Sequence, residues 1–379
     1  MKTKVAIILG TRPEAIKLIP IYLELKINDY FEPVLISTGQ HASMLKQIFD
    51  FFEVKPDIDL QVMQENQTLS SLTSILFDSI GKVFEENKFD FVLVQGDTTT
   101  AFVGAVSSLY HKFTLAHVEA GLRTYDKWAP FPEESNRQMI GAVADIHFTP
   151  TQTATECLAN ENIINNVVQV GNSVIDSLLI AKEKIEKNKI KYENRFSSLI
   201  DRDKKIILVT GYRRESFGKG FEEICKALAT IAENHPEFQI IYPVHMNPNV
   251  QKVVYETLGK YKNIKLIDPL PYDELIYIMS QSWLIMTDSG GIQEEAPTLN
   301  IPLIVMRDTT ERMEGIEAGC SVLSGTSSDK TLKEFYKVID SHKLYKKMAA
   351  SLNPYGQGNT SELIVEYLKS YNLSGTNNQ

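Results

Sequence analysis

Short apolar runs alternate with amphipathic stretches along nearly the whole chain. Val5-Ala6-Ile7-Ile8-Leu9 precedes a helix-like segment from Pro13 to Leu25, with proline in its first turn. Val34-Leu35-Ile36 precedes another from about Ala42. Phe91-Val92-Leu93-Val94 runs into Gly96-Asp97, and Thr114-Leu115-Ala116-His117-Val118 ends at Glu119. This is the rhythm of a parallel sheet with crossover helices. A charged, helix-prone segment from Ala181 to Asp203 interrupts it. The rhythm then restarts at Ile206-Ile207-Leu208-Val209 and repeats at Ile240-Ile241-Tyr242, Ile264 to Ile267, Trp283 to Met286 and Leu303-Ile304-Val305.

The pattern predicts an α/β protein of two doubly wound domains. The first is expected over residues 1–172 and the second over 205–359, with a helical connection over 173–204. A last helix, Ser361 to Tyr371, follows the turn-like Asn353-Pro354-Tyr355-Gly356, and segment 360–379 is expected to join the first domain. Ligands of such sheets bind outside the carboxyl ends of the strands. Polar groups gather at five of those ends: Gly10 to Lys17, Gln95 to Thr100, Glu119 to Arg123, Gly211 to Arg214 and Asp288 to Glu295. Their distribution over two domains predicts a small-molecule site in an interdomain cleft.

Bulk properties narrow the partners. With 379 residues, 43% of them hydrophobic, the chain is long enough for two cores. A net charge of -9 argues against nucleic acid or an anionic membrane as partner, without forbidding a locally basic pocket. Cys157, Cys225 and Cys320 lie far apart without metal-ligand spacing and read as reduced structural thiols. The sequence opens directly into a strand-like run, and no apolar stretch is long enough to span a bilayer, so a cytoplasmic protein is expected.

The block Thr287-Asp288-Ser289-Gly290-Gly291-Ile292-Gln293-Glu294-Glu295 follows a buried-strand run and opens a helix. Asp288 or Ser289 is the expected N-cap, with Pro297 closing the helix about two turns later. Two glycines allow close approach to a ligand, and the unpaired first N–H groups of the helix form a phosphate cradle. Glu294 or Glu295 then suits the hydroxyls of a ribose. Gly10-Thr11-Arg12-Pro13-Glu14-Ala15-Ile16-Lys17 lacks the dinucleotide and Walker spacings. Arg12 and Lys17 suit a diphosphate from the first domain, although Lys17 also reads as a solvated helix residue. Asp308-Thr309-Thr310-Glu311-Arg312 adds a further arginine, and Arg213 and Arg214 another cationic pair.

Asp97 stands where strand becomes helix and also reads as an N-cap. Glu119 and Arg123 flank a glycine at a strand end, with an ion pair between them as the plainer reading. Glu133 and Glu134 begin a helix, where acids suit the dipole. Three acids on neighbouring loops, without histidine at metal-ligand spacing, point to acid–base work rather than a metal centre.

In order and over nearly the whole length, these blocks resemble the bacterial non-hydrolysing UDP-N-acetylglucosamine 2-epimerases. The resemblance includes Gly10-Thr11-Arg12-Pro13-Glu14, Gly96-Asp97-Thr98-Thr99-Thr100, His117 to Thr124, Pro132-Glu133-Glu134 and Arg213-Arg214-Glu215. It continues through Tyr242-Pro243-Val244-His245, the Asp288 to Pro297 block and Asn353-Pro354-Tyr355-Gly356. It implies the glycosyltransferase-B architecture of two Rossmann-like domains, usually as a homodimer, and no metal or nicotinamide cofactor. The implied reaction interconverts UDP-GlcNAc and UDP-ManNAc by elimination of UDP to 2-acetamidoglucal and re-addition, supplying ManNAc for surface polysaccharide. Asp97, Glu119 and Glu133 are implied as acids and bases, with the two sugar faces unassigned among them. Arg12, Lys17, Arg213, Ser289, Gly290, Gly291, Glu295 and Arg312 are implied in UDP binding, and Leu270 and Leu275 at uracil. Gln40, His41, Gln67 and His245 match an allosteric UDP-GlcNAc site found in some relatives, where Ala42 and Asn66 replace arginines.

Tyr212 stands where the family carries a catalytic histidine before the paired arginines. A phenol donates a hydrogen bond but brings no imidazolium charge near neutrality. A weaker catalyst, a related UDP-HexNAc as substrate, or an inactive nucleotide-sugar-binding protein are the readings that follow. Gln95 replaces a usual histidine and Met313 a usual proline. A hydrolysing epimerase releasing ManNAc and UDP, and a glycosyltransferase on the same fold, are the remaining alternatives.

Overall fold

The computed structural model describes residues 2–40, 42–64, 67–211 and 218–371. The chain divides into two compact units, Met1–Ser177 with Tyr355–Gln379, and Leu178–Pro354. Each contains one sheet in which every pair of neighbouring strands is parallel.

The first sheet is built from β1 (Thr3–Leu9), β2 (Phe31–Ser37), β3 (Ile58–Asp59), β4 (Phe91–Gln95), β5 (Thr114–Val118), β6 (Ile146–Thr149) and β7 (Val167–Gln169). Its order is β3-β2-β1-β4-β5-β6-β7, so the winding reverses between β1 and β4. The central strands are covered on both faces, which is why they read as unbroken apolar runs. Ile8, Ile36, Val92 and Val94 pack with Leu76, Ile80 and Phe84 of the helix Leu69–Glu86 on one face of this sheet. The pattern did not mark β3, β6 and β7. The first and last are short edge pieces, and His147 and Thr149 dilute the apolar signal of β6.

The second sheet contains β8 (Lys205–Thr210), β9 (Phe238–Pro243), β10 (Ile264–Ile267), β11 (Leu284–Thr287), β12 (Leu303–Val305) and β13 (Ser321–Leu323). Its order is β10-β9-β8-β11-β12-β13, with the reversal between β8 and β11. Ile207, Val209, Ile240, Met286 and Ile304 form a core with Leu228 and Phe335 from flanking helices. The charged segment expected as a connection packs within this unit. Tyr192 and Phe196 of the helix Lys189–Phe196 stack on Tyr277 with centroids 5.4 Å away in each case. Tyr192 also donates to Asp273 at 2.8 Å.

Residues returning from the second unit complete the first. Asn172 N–H donates to the Tyr355 carbonyl at 2.7 Å. Asp176, almost wholly buried, accepts the N–H groups of Ser361 at 2.8 Å and Thr360 at 3.3 Å, where the helix Thr360–Ser370 begins. These are two of the donors that a helix start leaves unpaired. Phe148 and Phe91 meet Tyr367 and Tyr371 edge-on. Asp176→Ala is expected to lower the urea-unfolding free energy by about 1–3 kcal/mol, and Asp176→Asn by less, since the amide oxygen still accepts one bond. An unchanged midpoint in both variants would show that this clasp contributes nothing.

Candidate active site

β1, β4 and β5 are neighbours, so the residues that follow them converge. After β4, Gly96 turns the chain at φ +68°, a left-handed value that glycine takes without a Cβ penalty. Its N–H donates to the Val118 carbonyl at 3.0 Å, and its own carbonyl lies 2.8 Å from His117 Nε2. A carbonyl only accepts, so Nε2 carries the proton and His117 is fixed in one tautomer. Asp97 is presented from this pinned turn. Its carboxylate accepts Arg137 Nη2 at 2.5 Å, and its carbonyl accepts Asn136 Nδ2 at 2.9 Å. The helix Thr99–His111 is capped by Thr98, whose hydroxyl accepts from Ala101 N–H, so Asp97 is not the cap.

Glu119 follows β5 at φ +62°, a conformation that costs a residue with a Cβ about 1–2 kcal/mol. Its surroundings hold it there. Ala120 N–H donates to the Phe148 carbonyl at 2.9 Å, and the carboxylate receives Asn172 Nδ2 at 2.9 Å together with Lys17 and Gln95. Lys17 is therefore not a solvated helix residue; it forms an ion pair with Glu119. The plainer pairing of Glu119 with Arg123 is overturned as well. Arg123 makes a two-pronged bridge to Glu161 at 2.7 and 2.8 Å. Glu133, half-buried, opens the helix Glu133–Val143. Burial pushes the Asp97 carboxyl above its ordinary range, Arg137 opposes this, and the charges of Glu119 and Glu133 reinforce it. Asp97, Glu119 and Glu133 thus form one electrostatic group.

Three polar residues of this group were not marked as site residues by sequence. Glu14 is fully buried and accepts from Gly10 N–H at 3.0 Å, Thr11 N–H at 2.7 Å and the Thr98 hydroxyl at 2.6 Å, joining the loops after β1 and β4. Burial raises its pKa, and these hydrogen bonds oppose the rise. The Thr11-x-x-Glu14 spacing of a capping box was the available signal. Glu134 and Arg137 carry no such local signature. Arg12 opens the helix Arg12–Ile27 from the same loop, half-buried.

In the second unit, β8 and β11 end side by side, joined by the hydroxyls of Thr210 and Thr287 at 2.6 Å. Ser289 is the extended N-cap of the short helix Gly290–Glu295 without a side-chain cap bond, and Asp288 is buried behind it. Pro297 does not close this helix; it enters a 3-10 turn, Ala296–Leu299, that continues it. A Cβ on Gly290 would lie 2.6 Å from Arg312 Cζ, so the missing side chain makes room for that guanidinium, whereas Gly291 faces open space. Arg312 Nε donates to Glu294 at 2.8 Å, and Glu295 accepts from Tyr272 at 3.1 Å. Leu270 and Leu275, both half-buried, flank Tyr272 at the start of the helix Tyr272–Gln281. Tyr212 and Arg213 lie outside the described residues.

Of the residues matched to an allosteric site, His41 also lies outside the described residues. Gln40 accepts from Thr100 at 3.1 Å, and Gln67 donates to the Val62 carbonyl at 2.8 Å. His245, in the second unit, accepts from Asn247 N–H at 3.2 Å. No helix among the described residues is long and apolar enough to cross a membrane.

A family model described as UDP-N-acetylglucosamine 2-epimerase matches residues 23–369. The UDP-N-acetylglucosamine 2-epimerase of Campylobacter jejuni is 48% identical, covering 100% of both chains. The Neisseria meningitidis UDP-GlcNAc 2-epimerase bound to UDP-GlcNAc superposes with a TM-score of 0.92 at 41% identity, covering 97% of this chain and 100% of that one. The Methanocaldococcus jannaschii enzyme in complex with UDP-GlcNAc and UDP gives 0.83 at 33% identity, again covering 97% and 100%.

Burial holds His117 to a pKa of about 3 and His147, its partner across β5 and β6, to about 4. Between those values and the ordinary 6.5, the unfolded chain binds more protons than the native one. The stabilisation from neutral imidazoles is therefore full above pH 6.5 and drains away as pH falls toward 4 and 3. Nitrogen-15 NMR of the imidazoles should show both rings neutral and unchanged from pH 7.5 to 5. A midpoint near 6.5 for either would contradict their burial.

Proposed function

The chain belongs to the UDP-N-acetylglucosamine 2-epimerase family, and from that premise we propose that it runs the non-hydrolysing reaction, interconverting UDP-GlcNAc and UDP-ManNAc. The observation that carries this reading is the group of Asp97, Glu119 and Glu133, in which Asp97 is raised by burial and by its neighbours' charges. A carboxyl whose hold on a proton is raised is better suited than an ordinary one to moving a proton in both directions.

The chemistry requires more than a base, because the C2 hydrogen of a sugar is only weakly acidic. As a carboxylate takes that proton, the C2–H electron pair forms the C1=C2 bond. The C1–O bond breaks, and UDP departs with its electron pair, leaving 2-acetamidoglucal. UDP then adds back at C1 while a second acid protonates C2 from the opposite face. The proton count and charge close without an oxidant, and UDP is retained. Asp97, Glu119 and Glu133 are proposed as the proton carriers, with Arg12 and Lys17 at the diphosphate. The Lys17–Glu119 contact suits this scheme: a cation shared between an acid and phosphate links leaving-group departure to proton transfer. Ser289, Gly290, Gly291 and Arg312 are proposed to hold the diphosphate of UDP, Glu295 its ribose, and Leu270 and Leu275 its uracil. The pattern Gly96-Asp97-Thr98-Thr99-Thr100 favours retention of UDP over hydrolysis. A homodimer supplying ManNAc units for surface polysaccharide completes the reading.

Incubation with UDP-GlcNAc in D2O, followed by NMR, tests the reaction. Deuterium at C2 with UDP-ManNAc formed is expected. Free ManNAc would replace this reading with hydrolysis, and binding without exchange would replace it with a sensor. Gly290→Ala should displace Arg312 and weaken UDP binding by about tenfold, or ~1.4 kcal/mol, in calorimetry; unchanged affinity would remove Arg312 from the phosphate site. Tyr212→His should raise kcat by on the order of 10²-fold, the scale of one proton-transfer group. Equal turnover would mean that Tyr212 does not impair the chain.

A further inference from the structure

Glu134 is fully buried, one residue beyond the proposed acid Glu133, and it lies outside the set of proton carriers. A carboxylate withdrawn from water must be held by donors, and here the donors belong to two different parts of the unit. Thr124 N–H and Tyr125 N–H each donate to it at 3.0 Å, one to each oxygen. Gln138 Nε2 adds a bond at 2.8 Å. On its other side lies Arg137, with Nη1 at 3.5 Å from Glu134 and Nη2 at 2.5 Å from Asp97. The guanidinium is spanned between two carboxylates, and its buried Nε has no hydrogen-bond partner among the described residues. Its position is set by those two anions.

The backbone that Glu134 grips begins an unusual loop. Tyr125 sits at φ +60°, and the Thr124 hydroxyl donates to the Ala129 carbonyl at 2.7 Å, folding the loop on itself. Trp128 and Phe131 pack against one another at 5.5 Å, yet are 67% and 55% exposed. One buried carboxylate therefore holds both the base of an exposed aromatic loop and the cation on Asp97.

We infer that Glu134 is a positioning residue for Asp97, acting through Arg137 and coupling the loop from Thr124 to Phe131 to the orientation of that acid. The two N–H bonds link the loop to Glu134, and the guanidinium links Glu134 to Asp97. The inference rests on the proposed role of Asp97 for its effect on turnover, but the coupling itself has a readout independent of activity.

The test is a double-mutant cycle in the full chain with Glu134→Gln, Arg137→Gln and both together, with Arg137→Lys as the milder variant should a glutamine variant fail to fold. Carbon-13 NMR of the Asp97 carboxyl follows its titration, and C2 exchange in D2O gives kcat and KM. Loss of Arg137 should move the Asp97 midpoint upward, and Glu134→Gln should move it the same way, because release of the guanidinium outweighs the loss of a neighbouring anion, which by itself would lower it. Each single variant should lose about tenfold in kcat, with less change in KM. The double variant should match Arg137→Gln within about twofold, because the two residues act in series. In Arg137→Lys, a smaller upward midpoint shift is expected. An Asp97 midpoint untouched or lowered by Glu134→Gln, or kcat losses that multiply, would overturn the inference. Absence of exchange in the wild-type chain would instead remove the epimerase reading and leave the NMR cycle to decide the coupling.

Discussion

Withdrawing a carboxylate from water costs several kcal/mol unless donors replace its hydration, and the first unit meets that requirement at Glu14, Glu119, Glu134 and Asp176. Glu14 is satisfied by backbone N–H groups and the Thr98 hydroxyl, and Glu119 by Lys17, Gln95 and Asn172. Glu134 holds two loop N–H groups and faces a guanidinium, and Asp176 takes the start of a helix. Glu14, Glu119 and Glu134 each draw their donors from at least two places in the sequence, and Asp176 draws its own from a segment 184 residues further on. These acids are thus mortar, because neutralising them fixes the segments that carry them or that they hold.

The glycosyltransferase-B-like fold supplies the frame on which this happens. Parallel strands end on one edge, and reversal of the winding between β1 and β4 opens the space where loops approach without a crossing helix. The second unit repeats the device between β8 and β11 with different contents. There the carboxylates of Glu294 and Glu295 are taken by Arg312 and Tyr272, leaving Ser289 and Gly291 at the helix start. One unit concentrates titrating groups and the other offers backbone and a guanidinium.

The sequence made the central strands legible because burial on both faces writes them as apolar runs, and Gly96, Asp97 and Glu119 were legible because they end those runs. Edge strands β3 and β7 were not, since two or three half-covered residues carry no pattern. Ser289, one of the two residues expected there, is the N-cap of the glycine-rich helix, but the expected stop erred for a related reason. A 3-10 continuation accepts Pro297 at its start, so the proline that should end a helix only tightens it. Arg137 escaped because its meaning depends on a carboxylate 40 residues earlier. Local spacing reports i, i+3 neighbours such as Glu134 and Arg137, but not which distant anion the other side of the guanidinium will find. Lys17 was marked, but its ion pair with Glu119 was not foreseen. Its partner is 102 residues away, across two strands.

The strand of chain that returns to the first unit gives the molecule an order in time. Asn172, which touches Glu119 through its side chain, is held through its N–H by the Tyr355 carbonyl, and Asp176 waits for Thr360 and Ser361. On the ribosome, residues 178–354 must therefore emerge before the first unit can close around its own acids. The earliest part of the protein to be made is the last to be finished. A nascent chain halted anywhere in the second unit carries every proposed acid and none of the clasp behind Glu119.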